Sequence, residues 1–221
     1  MASSRPEPYA EGMSDLEQLA NAVDLEGKLV VDVGCGDGSF VRALASAGAE
    51  AIGIEVTEDA VARVREQDPD HRYLLGGAQE LPLRDGSVDG ATLMRSLHHV
   101  PDPTTAFPEL ARVVRDFVWV AEPLPEGDFF ELLKPIDDET EVRAQAQAAI
   151  SAQTGFDRVE TIEYELTVSI GSFEELRDFL LAPDPTRAEQ FGQFEPLLRE
   201  RYRPGDYPIP MRADLLRLTS R

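Results

Sequence analysis

Two kinds of apolar spacing alternate along the first half of the chain. Lys28-Leu29-Val30-Val31-Asp32-Val33 is apolar almost without interruption, as a strand buried on both faces requires. Phe40 to Ala47 follows with helical spacing. Ala51-Ile52-Gly53-Ile54 reads as a second strand and Glu58 to Arg65 as a second helix. Tyr73-Leu74-Leu75, Val88 to Met94 and Phe117 to Ala121 read as further strands, with a helix over Thr104 to Val114 before the last. Strands separated by helices of this length predict right-handed crossovers and a doubly wound α/β sheet. Ahead of them Leu16, Leu19, Ala20 and Val23 fall at helical spacing, with Ser14 as the predicted N-cap. Residues 1–13 carry Pro6 and Pro8 without periodicity and read as a mobile arm.

The rhythm loosens after Glu122, where Pro123 and Pro125 break the chain. Thr140 to Thr154 reads as a helix, and Asp157 to Ile170 alternates well enough for one long strand. Phe173 to Leu181 and Arg187 to Tyr202 read as helices. Pro208 and Pro210 precede a last apolar stretch, Leu215 to Leu218, which reads as a final antiparallel strand.

The chemistry concentrates at the end of the first strand. Asp32 is followed by Gly34, Gly36 and Gly38, which open a helix. Glycines there let the backbone turn tightly and approach a ligand closely. The spacing is one residue shorter than the dinucleotide fingerprint, so a nicotinamide-dependent oxidoreductase is the weaker reading. Asp32 would repel a phosphate and favour a ligand carrying an ammonium group. Glu55, at the end of the second strand, is placed to accept hydrogen bonds from both hydroxyls of a ribose.

The run Val30-Val31-Asp32-Val33-Gly34-Cys35-Gly36-Asp37-Gly38-Ser39-Phe40 resembles the first motif of class I S-adenosylmethionine-dependent methyltransferases. The small-molecule group that includes the ubiquinone and menaquinone biosynthesis methyltransferases is the nearest in look. The likeness continues in register through Gly53-Ile54-Glu55-Val56, Gly76 to Leu83, Asp85 to Asp89, Leu97-His98-His99-Val100-Pro101-Asp102-Pro103, Glu109 to Val114 and Ala121-Glu122-Pro123. It covers roughly residues 25–125. The resemblance implies a Rossmann-like methyltransferase fold: seven mostly parallel strands, the last antiparallel and inserted beside the fifth, with a helical cap. It implies S-adenosyl-L-methionine as cofactor. Asp32, Gly34, Cys35 and Gly36 would hold its methionyl end, Glu55 the ribose, and Val56, Ala78 and Gln79 the adenine. Met94 and Arg95 would flank the donor's methionine. The family often carries Asp at the position of Gly77, where it accepts a hydrogen bond from the adenine amine; here a water or Gln79 is the expected substitute.

His98 and His99, just past the fourth strand, are the candidate catalytic residues should the acceptor need to lose a proton. Their occurrence across different substrates in the family points more strongly to a role in fixing the loop. Glu122 reads either as a partner for a cationic acceptor or as a loop cap. Tyr9, Phe129 and Phe130 are candidates for an apolar acceptor wall or plain packing, and His71 is expected at the surface. Cys35 is the single cysteine, and a small side chain in the turn points to packing, not nucleophilic attack. No H-x-x-x-H, C-x-x-C or acidic cluster at ligand spacing points to a metal.

Charge narrows the partners. Acidic residues number 42 and basic ones 21, a formal net charge of −21. That balance opposes binding to nucleic acid or to an anionic membrane and suits a neutral or cationic small-molecule acceptor. The first ten residues lack an apolar signal segment and no run approaches a membrane span, so a cytoplasmic protein is expected. The expected organisation is an N-terminal arm and helix over 1–24, a methyltransferase core over 25–171 and 208–221, and a helical cap insertion over 172–207, whose helices suit a homodimer. The expected activity is methyl transfer to O, N or C of a small molecule; the alternative is a donor-binding regulatory or scaffold protein without that activity.

Overall fold

A computed structural model describes residues 14–219. Tyr9 and the rest of the expected arm lie outside the described residues. The central feature is a seven-stranded sheet in the order β3-β2-β1-β4-β5-β7-β6. Strands β1 (Leu29–Val33), β2 (Glu50–Glu55), β3 (Arg72–Leu75), β4 (Val88–Met94) and β5 (Val114–Pro123) are parallel. The last strand, β7 (Gly205–Leu218), runs antiparallel between β5 and β6 (Phe156–Ile170). The doubly wound sheet is thus the one the apolar pattern predicts, and the inserted last strand the one the family resemblance implies.

Helices α2 (Ser39–Ser46), α3 (Glu58–Gln67) and α4 (Ala106–Val113) form in the parallel half between successive strands, with α1 (Asp15–Ala22) ahead of it. Two apolar clusters fill the fold. One gathers Val31, Leu93, Leu110 and Ile150; the other gathers Val30, Leu44, Trp119 and Leu215. Val30 and Val31 fall in different clusters because successive strand residues face opposite sides, so β1 is covered on both faces. Ser14 caps α1 in a full capping box with Glu17, a device worth about 1 kcal/mol.

The second half departs from expectation in two places. The segment 123–138 contains a short helix, α5 (Asp128–Leu133), which its six-residue length hides from periodicity. The last strand is far longer than Leu215 to Leu218. It starts at Gly205 and takes in both Pro208 and Pro210. The prolines are tolerated because β7 pairs with β5 only over Met211 to Arg217. Pro210 turns its carbonyl away from β6 to accept from Leu124 N at 2.9 Å. Pro208, of the same parity, presents its missing N–H to that same side, where no ladder bond is lost.

Between β6 and β7 lie α7 (Phe173–Leu181) and α8 (Ala188–Arg201). With α5 and the upper ends of β6 and β7 they enclose a third apolar cluster that includes Phe129, Val168, Leu176, Phe191 and Leu198. Helix α6 (Thr140–Ala152) instead packs Ala146, Ala149 and Ile150 into the first cluster. Among the described residues, no helix is long and apolar enough to cross a membrane.

Candidate functional site

The site assembles where β1, β2 and β4 end, at the carboxyl edge of the parallel strands, where ligands bind in open α/β folds. Gly34 follows β1 with φ +77°, and a Cβ there would lie 2.6 Å from Ser96 Cβ. Only glycine lets the turn after β1 pass that closely under the loop after β4. Gly34 N and Cys35 N both donate to Ile54 O, at 2.8 and 3.0 Å, and Ser96 Oγ donates to Val33 O at 2.7 Å. These bonds fix the turn to both neighbouring strands.

Asp32 is buried beneath the turn, and Thr92 Oγ1 donates to its Oδ1 at 2.7 Å. Burial pushes its carboxyl up to about 7, and the hydrogen bond from Thr92 and the charge of Arg95 offset only part of that. A buried carboxyl in this state gains its charge when a cation arrives beside it. Burial, with Asp32 and Glu55 nearby, pushes the Cys35 thiol up to about 12. Cys35 is therefore a packing residue and not a thiolate nucleophile.

Glu55 Oε2 accepts from Gly36 N at 2.9 Å and Oε1 from Val56 N at 2.8 Å. The carboxylate is thereby held at the mouth of the glycine turn. Gly36 has φ +55° with open space where a Cβ would stand. Val56 is 62% exposed, unusual for a valine beside a site, and offers a free apolar shelf. Ala78 and Met94 are buried. A Cβ on Gly77 would meet only Val56 Cγ1 at 3.5 Å. The structure therefore leaves room for the acid that the family carries there.

Two side chains are placed otherwise than expected. Gln79 is exposed and its Nε2 donates to Thr105 Oγ1 at 2.7 Å, which commits the amide expected to replace the missing acid. Arg95, with an unusual φ of 55°, ends β4 as expected, but its guanidinium pairs with Asp15 of α1. Tyr164 of β6 donates to the other oxygen of Asp15. Periodicity gave no sign of this latch, which ties the first helix to the site across 149 positions of sequence.

His98 and His99 sit in a single 3-10 turn, Leu97–His99, with ring centroids 4.0 Å apart. His98 is buried and its Nδ1 is hydrogen-bonded to Glu122. Glu122 is fully buried, and its other oxygen accepts from Leu97 N at 2.8 Å. It caps the loop and orients His98, so it is not the partner of a cationic acceptor. His99 is exposed at its edge, and desolvation by the surrounding protein, with His98 beside it, pushes its pKa below the usual histidine value. The third histidine, expected at the surface, is half-buried: His71 Nδ1 lies 2.8 Å from Asp68, which also accepts from Tyr73 Oη at 2.6 Å. Phe129 and Phe130 are buried; the first meets Phe179 edge-on and the second lies under Arg143. Both are packing residues rather than an open wall.

Comparison with known proteins agrees with this geometry. Residues 31–120 match a family model described as a methyltransferase domain. An uncharacterized methyltransferase of Mycobacteroides abscessus is 39% identical over 108 residues, 47% of this chain and 42% of that protein. A ubiquinone biosynthesis O-methyltransferase of Thiobacillus denitrificans is 40% identical over 101 residues, 43% of this chain and 44% of that protein. The chain thus spans less than half the length of these curated relatives. A structure described as a methyltransferase from Bacillus halodurans superposes with a TM-score of 0.66 at 19% identity, covering 93% of this chain and 99% of that one. The cyclase SpnF has a TM-score of 0.64 at 19% identity over 93% of this chain and 80% of its own. The fold is therefore that of Rossmann-like methyltransferase structures, and the stretch that matches the methyltransferase-domain model, residues 31–120, builds the glycine turn, Glu55 and the two histidines.

Proposed function

We propose that the protein transfers a methyl group from S-adenosyl-L-methionine to a small-molecule acceptor. The observation that carries this reading is the juxtaposition of a buried carboxyl, Asp32, and a bridging carboxylate, Glu55, on either side of an open glycine turn. The residues present fit the donor. Asp32 lies beneath the turn where an ammonium end would rest, Glu55 faces a ribose, and the exposed Val56 with Ala78 and the space beside Gly77 suit a flat base. Bound there, S-adenosyl-L-methionine supplies a methyl group activated by a sulfonium. The chain's own part is positioning and exclusion of water. Asp32, Gly34, Cys35 and Gly36 orient one end of the donor, while Met94 and the backbone of Arg95 close the other side.

The acceptor enters beside segment 123–138, and the third apolar cluster built by α5, α7 and α8 forms the cap over it. Glu122 locks His98 in one orientation, which leaves Nε2 of His98 and the exposed ring of His99 as the groups able to take a proton from an acceptor hydroxyl or amine. The surface charge of −21 favours a neutral or cationic acceptor. The ubiquinone biosynthesis O-methyltransferases among the relatives support an O-methyl product on a small molecule. Calorimetry with S-adenosylmethionine and S-adenosylhomocysteine tests the donor, and an acceptor screen monitored by S-adenosylhomocysteine release tests the transfer. Absence of binding by either nucleoside would overturn the reading. Binding without product from any acceptor would favour the regulatory alternative, which the shared fold of a cyclase keeps in view.

A further inference from the structure

The two histidines have a third partner that sequence spacing conceals. Glu139, the N-cap residue of α6, brings its Oε1 to 3.8 Å from His98 Nε2. Its other oxygen accepts from Arg143 Nη2 at 2.6 Å and Nε at 2.9 Å, which fixes the carboxylate with Oε1 turned towards the histidines. One ligand atom each from His98, His99 and Glu139 lies within 4.8 Å of the other two. We infer that His98, His99 and Glu139 form a binding site for a divalent cation of the zinc type.

Three observations support the inference. The first is distance. Tetrahedral zinc with bonds of about 2.0–2.1 Å holds its ligand atoms about 3.3 Å apart, so the spacing found needs only small side-chain rotations to close. The second is the state of the most buried ligand. His98 has 6% of its surface exposed, and Glu122 takes its Nδ1, so the Nε2 lone pair is left facing Glu139. A carboxylate behind an imidazole is the support that metal-ligating histidines carry. The third is charge. Glu122, Glu139 and Asp137, which interacts electrostatically with His99, are set against Arg143 and Arg187. Arg187 is shared with Asp184 as well, so the balance around the pair is net negative, which a dication relieves without requiring an unpaired acidic cluster.

Two imidazoles and one carboxylate favour zinc or its neighbours over magnesium, which prefers an all-oxygen shell. Three protein ligands leave one tetrahedral position for water or an oxygen of a bound molecule. The inference stands apart from the donor reading, since no donor residue takes part; with the cation bound, His98 Nε2 and His99 are ligands and do not serve as proton acceptors.

The test uses the full chain, stripped with a chelator and titrated with Co2+ alone. Expected is one saturating site with visible ligand-field absorption, displaced by stoichiometric Zn2+ and unaffected by millimolar Mg2+. His99→Ala and Glu139→Gln each weaken Co2+ binding at least tenfold while affinity for S-adenosylhomocysteine is unchanged. Both positions are less buried than His98, and circular dichroism of each variant verifies the fold. A titration without saturable absorption, or Co2+ affinity equal to wild type in both variants, would overturn the inference. Loss of S-adenosylhomocysteine binding by the unmodified chain would count against the donor reading alone.

Discussion

Asp32→Asn separates the two functions of that buried carboxyl, folding and donor capture, and pH resolves them. Burial raises the folded-state value from 3.8 to about 7. The folded protein therefore binds a proton more readily than the unfolded chain between those limits. Stability from this group is fully present below pH 3.8 and is lost as pH rises through about 7. A rise of roughly three pH units at about 1.4 kcal/mol each corresponds to about 4 kcal/mol in all. Between pH 5 and pH 8 the loss is about 2.5 kcal/mol. Asparagine has no such titration, and its Oδ1 keeps the bond from Thr92. All other pH-dependent groups cancel when the variant is compared with wild type. Urea unfolding at several pH values should show the variant gaining about 2.5 kcal/mol relative to wild type from pH 5 to pH 8, whatever its offset. The same substitution should weaken S-adenosylhomocysteine binding at pH 8 by about 10- to 100-fold, the worth of a charged hydrogen bond. Wild-type binding at pH 6 should also release protons, seen as heats that vary with buffer ionisation enthalpy. A stability difference independent of pH would refute the claim that Asp32 is held neutral in the folded chain without ligand.

Three further outcomes are expected. Gly34→Ala combines a left-handed backbone with a Cβ 2.6 Å from Ser96 Cβ, and should destabilise by about 2–5 kcal/mol. Ser96→Gly should recover the steric part, with a coupling of about 1–3 kcal/mol in a double-mutant cycle; zero coupling would show that the turn relaxes away. Gly77→Asp should leave the melting temperature within a degree or two, because its Cβ meets only ordinary contact, and should tighten S-adenosylhomocysteine binding by about 1 kcal/mol. Unchanged affinity would place the base elsewhere. Tyr164→Phe removes a donor from Asp15 and should increase hydrogen exchange in α1 by about the factor that 1 kcal/mol allows, roughly fivefold. Equal protection would mean that the apolar face of α1, with Leu19 and Val23, holds it alone.

Much of the site was legible because its signals are local. The Asp32–Gly38 turn reads from adjacent residues, and Glu55 from its place at the end of the next strand. In a parallel α/β sheet, the end of one strand and the end of its neighbour are brought side by side by the crossover itself. Strands β1 to β4 were found to within a residue at each end, whereas β5 runs three residues earlier and two later than its apolar run suggested. The short helix α5 and the proline-bearing start of β7 were not found, since six residues carry little periodicity and proline signals a break unless its pairing is known.

What the chain alone determined is the order of its strands and of every α-helix but α5, the glycine turn, and the two acids that flank it. Continuous apolar runs and turn chemistry act over a few residues, and no distant partner is needed to read them. The tertiary structure decided every role that depends on a partner far along the chain. It made Glu122 the support of His98, turned Gln79 to Thr105 and Arg95 to Asp15, and brought Glu139 to the histidine pair from 40 positions away. Side chains of this kind can face solvent, a ligand or one another, and their sequence spacing is the same in each case. Packing α6 against the 3-10 turn and β6 beside β7 selects among those faces, so chemistry at the site follows from burial and proximity that only the folded sheet creates.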